Sequence, residues 1–312
     1  LHAKPPGECQ QLVAAGAAVA VVRKIELDDV APQTLDALAA NTSGASFTPE
    51  VTRGTANAPE LGWGTFFARR SNGDGVARDV DTRGFMVGTD LDETIGVFFG
   101  MANSEFGAGS DADHRFGGLY ANFAAGGFDI DTSLTFGRTD ATSDSVVVAD
   151  NRSMPGFSST DVGAESTYIM PSVTVARRFE AGAGTITPSL RLSYTRIETE
   201  TGSLSVGPLT LGGGAAREDH LYNARFQLER GLQDIAYEGG LLSASLRGGF
   251  DTSYMDAAGS GRDWDSTRAF VGAEFTYSVE DGAVELSGGI ELGRTSNDVT
   301  DASANLGLSV RF

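Results

Sequence analysis

Three histidines, one cysteine and scattered acids are the residues of this chain from which catalysis or metal binding would have to start. His2, His114 and His220 lie far apart in sequence. A serine hydrolase needs Ser and His in hydrogen-bond reach with a third group orienting the base. No G-x-S-x-G turn marks a nucleophile, and H-E-x-x-H, Walker and calcium-loop patterns are also missing. His114 and His220 fall near the starts of candidate strands and read as solvated or structural. "NGDGVARDVD", Asn72 to Asp81, groups acids and amides with glycine. It reads as a hairpin turn, with a weak divalent-cation site as the alternative. "LGGG", Leu211 to Gly214, has neither a helix start nor a Lys and is a loop rather than a phosphate cradle. Cys9 alone excludes an internal disulfide or a thiolate cluster. The sequence therefore assigns no catalytic residue, no metal ligand and no cofactor, and the chain is not expected to be an enzyme.

The balance of the chain narrows the partners. A formal charge of −19 argues against nucleic acid, whose phosphates require clustered Lys and Arg. With 41 Gly, 9 Pro and 40% hydrophobic residues, the composition is that of a folded, turn-rich protein. The start at Leu1 reads as a fragment or processed product. "LVAAGAAVAVV", Leu12 to Val22, is about half of the ~20 apolar residues that a membrane-spanning helix needs. It reads as a strand or short helix ending a preceding region; the alternative is a signal-peptide core ending in "AVA".

Residues 1–61 differ from the rest and are expected to be the end of a preceding region plus a linker. "PQTLDALAANTSG" starts with Pro32, places Leu35, Leu38 and Ala39 on one face and stops at Gly44, which predicts a short helix near 32–42. From Gly62 the period becomes two. Twelve strands are predicted near 62–71, 80–90, 94–104, 112–124, 128–140, 165–179, 184–198, 217–231, 239–255, 267–280, 283–295 and 300–312. Apolar lanes such as Leu242/Ala244/Leu246 and Val284/Leu286/Ile290 alternate with polar ones such as Thr187/Ser189/Arg191. Alternation alone leaves two folds open: a soluble sandwich that buries the apolar lanes, or a membrane barrel that turns them to lipid.

Three features favour the barrel. The strands run to about 10–15 residues, whereas soluble strands centre near 5–6. Tight connections ("DLDE", "AAGG", "EDG") alternate with long polar ones near 141–164, 199–216 and 256–266. Mid-strand charges occupy the polar lanes: Arg191, Arg225, Glu229, Arg247, Glu274, Glu285, Glu291 and, on the last strand, Arg311. In a barrel these line a polar lumen; in a sandwich they form one solvent face. The fold class expected is all-β, a twelve-stranded antiparallel transmembrane β-barrel over 62–312. Tyr194, Tyr222, Tyr254 and Phe250 fall near strand ends, where aromatic girdles mark interfaces.

The stretches "GFMVGTDLDETIGVFFGMANSEF", "DADHRFGGLYANFAAGGFDIDTSLTFGRTD", "TITPSLRLSYTRIE" and "ANLGLSVRF" resemble, in order and spacing, the β-domain of classical autotransporters. The resemblance implies an outer-membrane barrel of a Gram-negative bacterium, with a helix threading its lumen, that exports an N-terminal passenger. The predicted helix with Leu35 and Leu38 occupies the place of that lumenal segment. The resemblance departs at the passenger, since about 60 residues precede the barrel and no repeat pattern is visible. "NLGLSVRF" fits the insertion signal of such barrels at Asn305, Gly307, Val310 and Phe312. Physically, an alternating terminal strand offers an edge that an assembly machine can pair by strand addition. Some relatives cut their linker at paired asparagines; Asn41 is followed by Thr42, so no cleavage is expected. The expected partners are outer-membrane lipid, the barrel assembly machinery and the chain's own passenger, with the barrel monomeric. The alternative function is a cargo-free pore or adhesin-like barrel.

Overall fold

Period-two alternation needs partners on both edges of every strand, and the fold supplies them by closing on itself. The computed structural model describes residues 9–14, 18–23, 61–72, 80–92, 94–106, 110–151, 154–182, 184–201, 203–206, 209–212, 216–257, 264–279, 283–296 and 299–311. The wall consists of β1 (Leu61–Asn72), β2 (Val80–Asp90), β3 (Ile95–Phe106), β4 (Ser110–Ala125), β5 (Phe128–Asn151), β6 (Met154–Ala176), β7 (Gly184–Thr201), β8 (Arg217–Gly231), β9 (Gly240–Ala257), β10 (Trp264–Val279), β11 (Val284–Thr295) and β12 (Thr300–Arg311). Each strand pairs antiparallel with the next, and β12 pairs antiparallel with β1 from Thr300↔Asn72 to Arg311↔Leu61. The result is a closed twelve-stranded barrel.

Burial fixes which lane faces where. Leu246, Ile290 and Leu308 are 54%, 59% and 50% exposed, while Arg225 and Glu291 are 7% and 4% exposed. Large aliphatic side chains outside and charges inside is the reverse of a water-soluble fold, and only lipid makes it stable. The outward lanes of neighbouring strands stack across the ladder: Phe226 lies against Phe250, with ring centroids 5.5 Å apart. Two outward positions nearer the long connections, Tyr194, Tyr222 and Tyr254 form a row with centroids 5.2 and 6.2 Å apart. Tyr194 and the His220 imidazole share a 2.8 Å hydrogen bond, so His220 is part of this aromatic row.

The two ends of the barrel differ in chain economy. At the tight end Gly126 and Gly127 both have positive φ, 62° and 80°, as a two-residue hairpin turn matching the twist of its strands requires. In the "DLDE" turn the Asp92 carboxylate accepts from the N–H groups of Thr94 and Ile95 at 2.7 Å each. Those bonds, Thr94 first, favour its charged form and lower its pKa. Short turns lie on the periplasmic side of outer-membrane barrels. Leu61 begins and Arg311 ends at this side.

At the other end the structure corrects the strand boundaries. The predicted loop 141–164 is instead a continuation of β5 and β6, paired from Ser143↔Val162 to Asn151↔Met154. The three consecutive valines Val146–Val148 supply the β-branched sequence for this extension, which a reading by mean polarity misses. Within the predicted loop 199–216, Ser203–Val206 pairs with Leu209–Gly212. Two more strands, Cys9–Ala14 and Ala18–Arg23, form a hairpin whose second strand pairs with Val147–Asp150 of β5. The described parts of the Leu12–Val22 stretch are thus strand, one of the two forms expected of it. Among the described residues there is no helix; the one predicted near 32–42, with Leu35 and Leu38, lies outside them.

The wall assignment has a direct consequence. Leu246→Arg puts a charge into hydrocarbon and is expected to cost about 2–4 kcal/mol. Ser245→Arg, one residue away but across from lumenal Glu274, is expected to cost far less. Denaturant titration of reversible folding into lipid vesicles measures both, and equal costs contradict the assignment.

Candidate functional site in the barrel lumen

The inward lanes of β8 to β12 bring together acids and arginines that are far apart in sequence. Glu291 on β11 is the centre. It accepts from Arg225 Nη1 and Nη2 at 3.2 and 2.5 Å and from Arg268 Nη1 at 2.8 Å, with Arg247 Nε 3.2 Å away. Arg268 also grips Asp301 of β12 through two bonds of 2.6 and 2.7 Å and reaches Asp251 of β9 at 3.0 Å. Arg247 pairs with Glu274 as well. Arg69 of β1 stands 3.8 Å from Asp301, carrying the network over the β12–β1 seam. Arg225 further lies 3.7 Å over the Phe270 ring. Four arginines (69, 225, 247, 268) face four acids (251, 274, 291, 301), so the cluster is electrically balanced. Buried ions are tolerable only with such mutual pairing.

The opposite wall differs. From β1 to β7 the lumen is lined by Trp63, Phe67, Met86, Phe98, Phe116, Tyr120, Tyr168, Met170 and Ile197, which form one buried cluster. Trp63 Nε1 donates to the Tyr120 hydroxyl at 2.9 Å, and that hydroxyl donates to Asp90 at 2.5 Å, so the polar edges of both rings are satisfied. Gly96 and Gly137 lie under the Tyr120 and Tyr168 rings; a Cβ at either position would collide with the ring. Toward the outer end the wall becomes polar. Thr82 and Ser104 share a 2.8 Å hydrogen bond, and His114 bridges Ser104 at 3.3 Å and Thr139 at 2.8 Å. His114 is therefore a buried structural side chain held by hydroxyls. The expectation of a polar lumen is corrected on this side, where Trp63, Phe67, Phe98, Phe116, Tyr120 and Tyr168 turn inward.

The charges singled out from sequence fall as follows. Arg225, Arg247, Glu274 and Glu291 meet in the cluster. Arg191 is buried directly across from Arg225, and Glu229 is across from Arg247. Glu285 stays apart near the tight end, accepting from Ser278 at 3.0 Å. Arg311 is placed only through its backbone, paired with Leu61. Asp251, Arg268, Asp301 and Arg69 were not singled out, although lane parity places the first three on inward lanes; what sequence lacks is the cross-strand register. Asn305 and the buried Gly307 lie on the inward lane of β12, Val310 on the outward one, and Phe312 lies outside the described residues. Among the described residues no group of His, Cys, Asp and Glu has metal-holding geometry.

Comparison with known proteins follows this geometry. The model of the family described as autotransporter beta-domain matches residues 61–223, just over half of the chain. No curated protein sequence matches. Among solved structures, the β domain of the Bordetella autotransporter BrkA superposes with a TM-score of 0.63 at 18% identity, covering 81% of this chain and 100% of that one. The translocator domain of the autotransporter NalP from Neisseria meningitidis gives 0.53 at 12% identity, covering 89% and 98%. At these identities the likeness is one of fold.

Removing the hub tests the cluster. Glu291→Gln strands Arg225 and Arg268 in the wall and is expected to destabilise the barrel by about 3–5 kcal/mol, the range for breaking a buried pair. Glu285→Gln, outside the cluster, is expected to cost under about 1 kcal/mol. Chemical denaturation of the vesicle-folded barrels compares them.

Proposed function

Because this chain belongs to the autotransporter beta-domain family, we propose that the outer-membrane translocator barrel it forms is threaded by its own residues 24–60, with residues 1–61 as linker and the end of a passenger. The family is one of translocator barrels rather than catalysts, and the barrel resides in the outer membrane. One observation supports the threading. The strand Ala18–Arg23 pairs with the extension of β5 at the long-loop end, whereas Leu61 begins β1 at the tight-turn end. On this reading the chain between them passes from one side of the membrane to the other. Outside is lipid, where unpaired backbone polar groups cost several kcal/mol each. The lumen is the route that keeps them solvated. Its two unlike walls also suit an amphipathic segment: Leu35 and Leu38 fit the aromatic wall, and the polar side of the segment fits the charge-paired one.

The test of threading is accessibility. In a Cys9→Ser background, Leu38→Cys is expected to react slowly with a bulky thiol reagent applied from outside. Glu105→Cys, exposed at the outer end of β3, is expected to react fast. Equal rates refute the lumenal placement.

The terminal strand is proposed to be the address read by the barrel assembly machinery. In the folded barrel the Asn305 side-chain oxygen is buried and accepts no hydrogen bond from the described residues. Burying such an acceptor costs about 1–3 kcal/mol, so Asn305 contributes little to the finished barrel and is better explained by a step before closure. Deleting Phe312 is expected to remove most heat-modifiable barrel from the outer membrane of cells while the purified variant still folds in detergent and resists trypsin. Normal membrane levels overturn the address; failure to fold in detergent makes Phe312 a stability residue.

A further inference from the structure

The outward face of β2 to β5 carries something the translocator does not need for export. Most outward arginines on this barrel are matched by acids: Arg138 pairs with Asp140 at 2.9 Å and Glu165 at 2.8 Å, and Arg196 pairs with Glu198 and Glu218. Among the described residues Arg83 and Arg115 have no such partner, although both are exposed. They flank β3 on β2 and β4 in adjacent rows, Arg83 across from Asn103 and Arg115 across from Met101, which sets their Cα atoms about 12 Å apart on the diagonal. Arg115 also stands directly across from Arg138, a like-charge pair that an unoccupied sheet face disfavours. Arg83, Arg115 and Arg138 thus lie near one another at the upper edge of the lipid-facing band, the first two without a carboxylate partner among the described residues.

Below the arginines the band is notched. Gly117, next outward residue after Arg115 on β4, lies in one cross-strand row between Phe99 and Phe136. The two rings, 49% and 50% exposed, make walls, and the glycine between them leaves a floor without a side chain. A slot one strand wide, aromatic on both sides and closed above by guanidinium groups, has the shape and charge of an acyl chain continued into a phosphate.

We infer that the β2–β5 face binds one phosphate-bearing lipid of the outer leaflet, an acyl chain seated over Gly117 between Phe99 and Phe136 and its phosphate held by Arg83 and Arg115. The lipid is chosen over free phosphate because exposed arginines alone hold an anion weakly, whereas the slot adds apolar burial continuous with the bilayer. Asp113, one outward position beyond Arg115 on β4, lies in the same cross-strand row as Arg83, with Asn103 between them. Asp113 is itself engaged by the Asn103 amide at 3.1 Å. The inference rests on the orientation adopted above, with the long connections facing outward.

The test uses the full chain folded in detergent micelles, with lipid A carrying its phosphates, dephosphorylated lipid A and phosphatidylglycerol as probes, and native mass spectrometry as readout. Phosphorylated lipid A is expected to be retained, and the Arg83→Gln/Arg115→Gln double variant to retain it about tenfold less or worse, as loss of charge-assisted contacts implies. Phe136→Ala, which opens the slot without changing charge, is expected to weaken retention as well. Arg230→Gln, outward at the tight-turn end, is expected to leave it unchanged. Heat-modifiable mobility verifies that each variant is folded. Equal retention by the double variant, equal retention of the dephosphorylated lipid, or displacement by inorganic phosphate overturns the site. Preference for phosphatidylglycerol overturns it through the orientation, and leaves the translocator reading standing.

Discussion

Everything in this protein depends on the hydrogen-bonded seam between β12 and β1. Hydrocarbon offers no donor or acceptor, so a sheet with a free edge has no stable place in it. The seam runs for twelve residue pairs, from Thr300↔Asn72 to Arg311↔Leu61, and turns an open sheet into an edgeless wall. Closure in turn decides what a side chain is for. Every outward position meets lipid and every inward one meets the lumen, whatever the element it belongs to. Leu306 and Leu308 on β12 thus do the same work as Leu246 on β9, and Asp301 joins arginines from β1 and β10.

Inside, closure creates a problem that the sequence solves twice. A narrow lumen shared by twelve inward lanes is neither bulk water nor a protein core. On the β1–β7 side it is filled as a core would be, with rings laid over glycines and their polar edges hydrogen-bonded. On the β8–β12 side it is filled with ions paired so completely that charges cancel within the cluster. The Arg69–Asp301 contact matters beyond its modest energy at 3.8 Å, because it extends the ionic network across the seam. Both solutions stiffen the wall, and both leave contrasting surfaces for a chain passing between them.

That contrast links structure to transport. A translocated segment in extended or helical form has to keep its backbone satisfied while it moves, which requires a wall that is polar without gripping. A neutralised ion cluster gives local dipoles rather than a net charge and holds no one sign of passenger strongly. The outer surface is specialised in another way, with an aromatic row over β7–β9 and unpaired arginines over β2–β4, so the barrel meets its membrane differently on its two sides.

Much of this was legible in the sequence because the constraint is one-dimensional. A strand that separates lipid from lumen alternates at every residue, so period two from Gly62 onward, tight against long connections and mid-strand charges were enough to give twelve strands and their two faces. Lane parity already placed Arg225, Arg247, Glu274 and Glu291 on inward positions. What parity does not contain is register. That Glu291 should collect arginines from β8, β9 and β10, and that Asp301 should meet Arg69 from the far end of the chain, follow only from how far each strand slides past its neighbour. The same limit hid the aromatic wall: in "IGVFFGMA" both lanes are apolar, and only closure decides that Phe98 turns inward over Gly118 while Phe99 faces lipid. It hid the β5–β6 extension too, since valines paired beyond the membrane look in sequence like part of a polar loop. Sequence determined which residues share a face, because that depends on neighbours two apart; tertiary structure decided which faces meet, because that depends on strands aligned across the whole circumference.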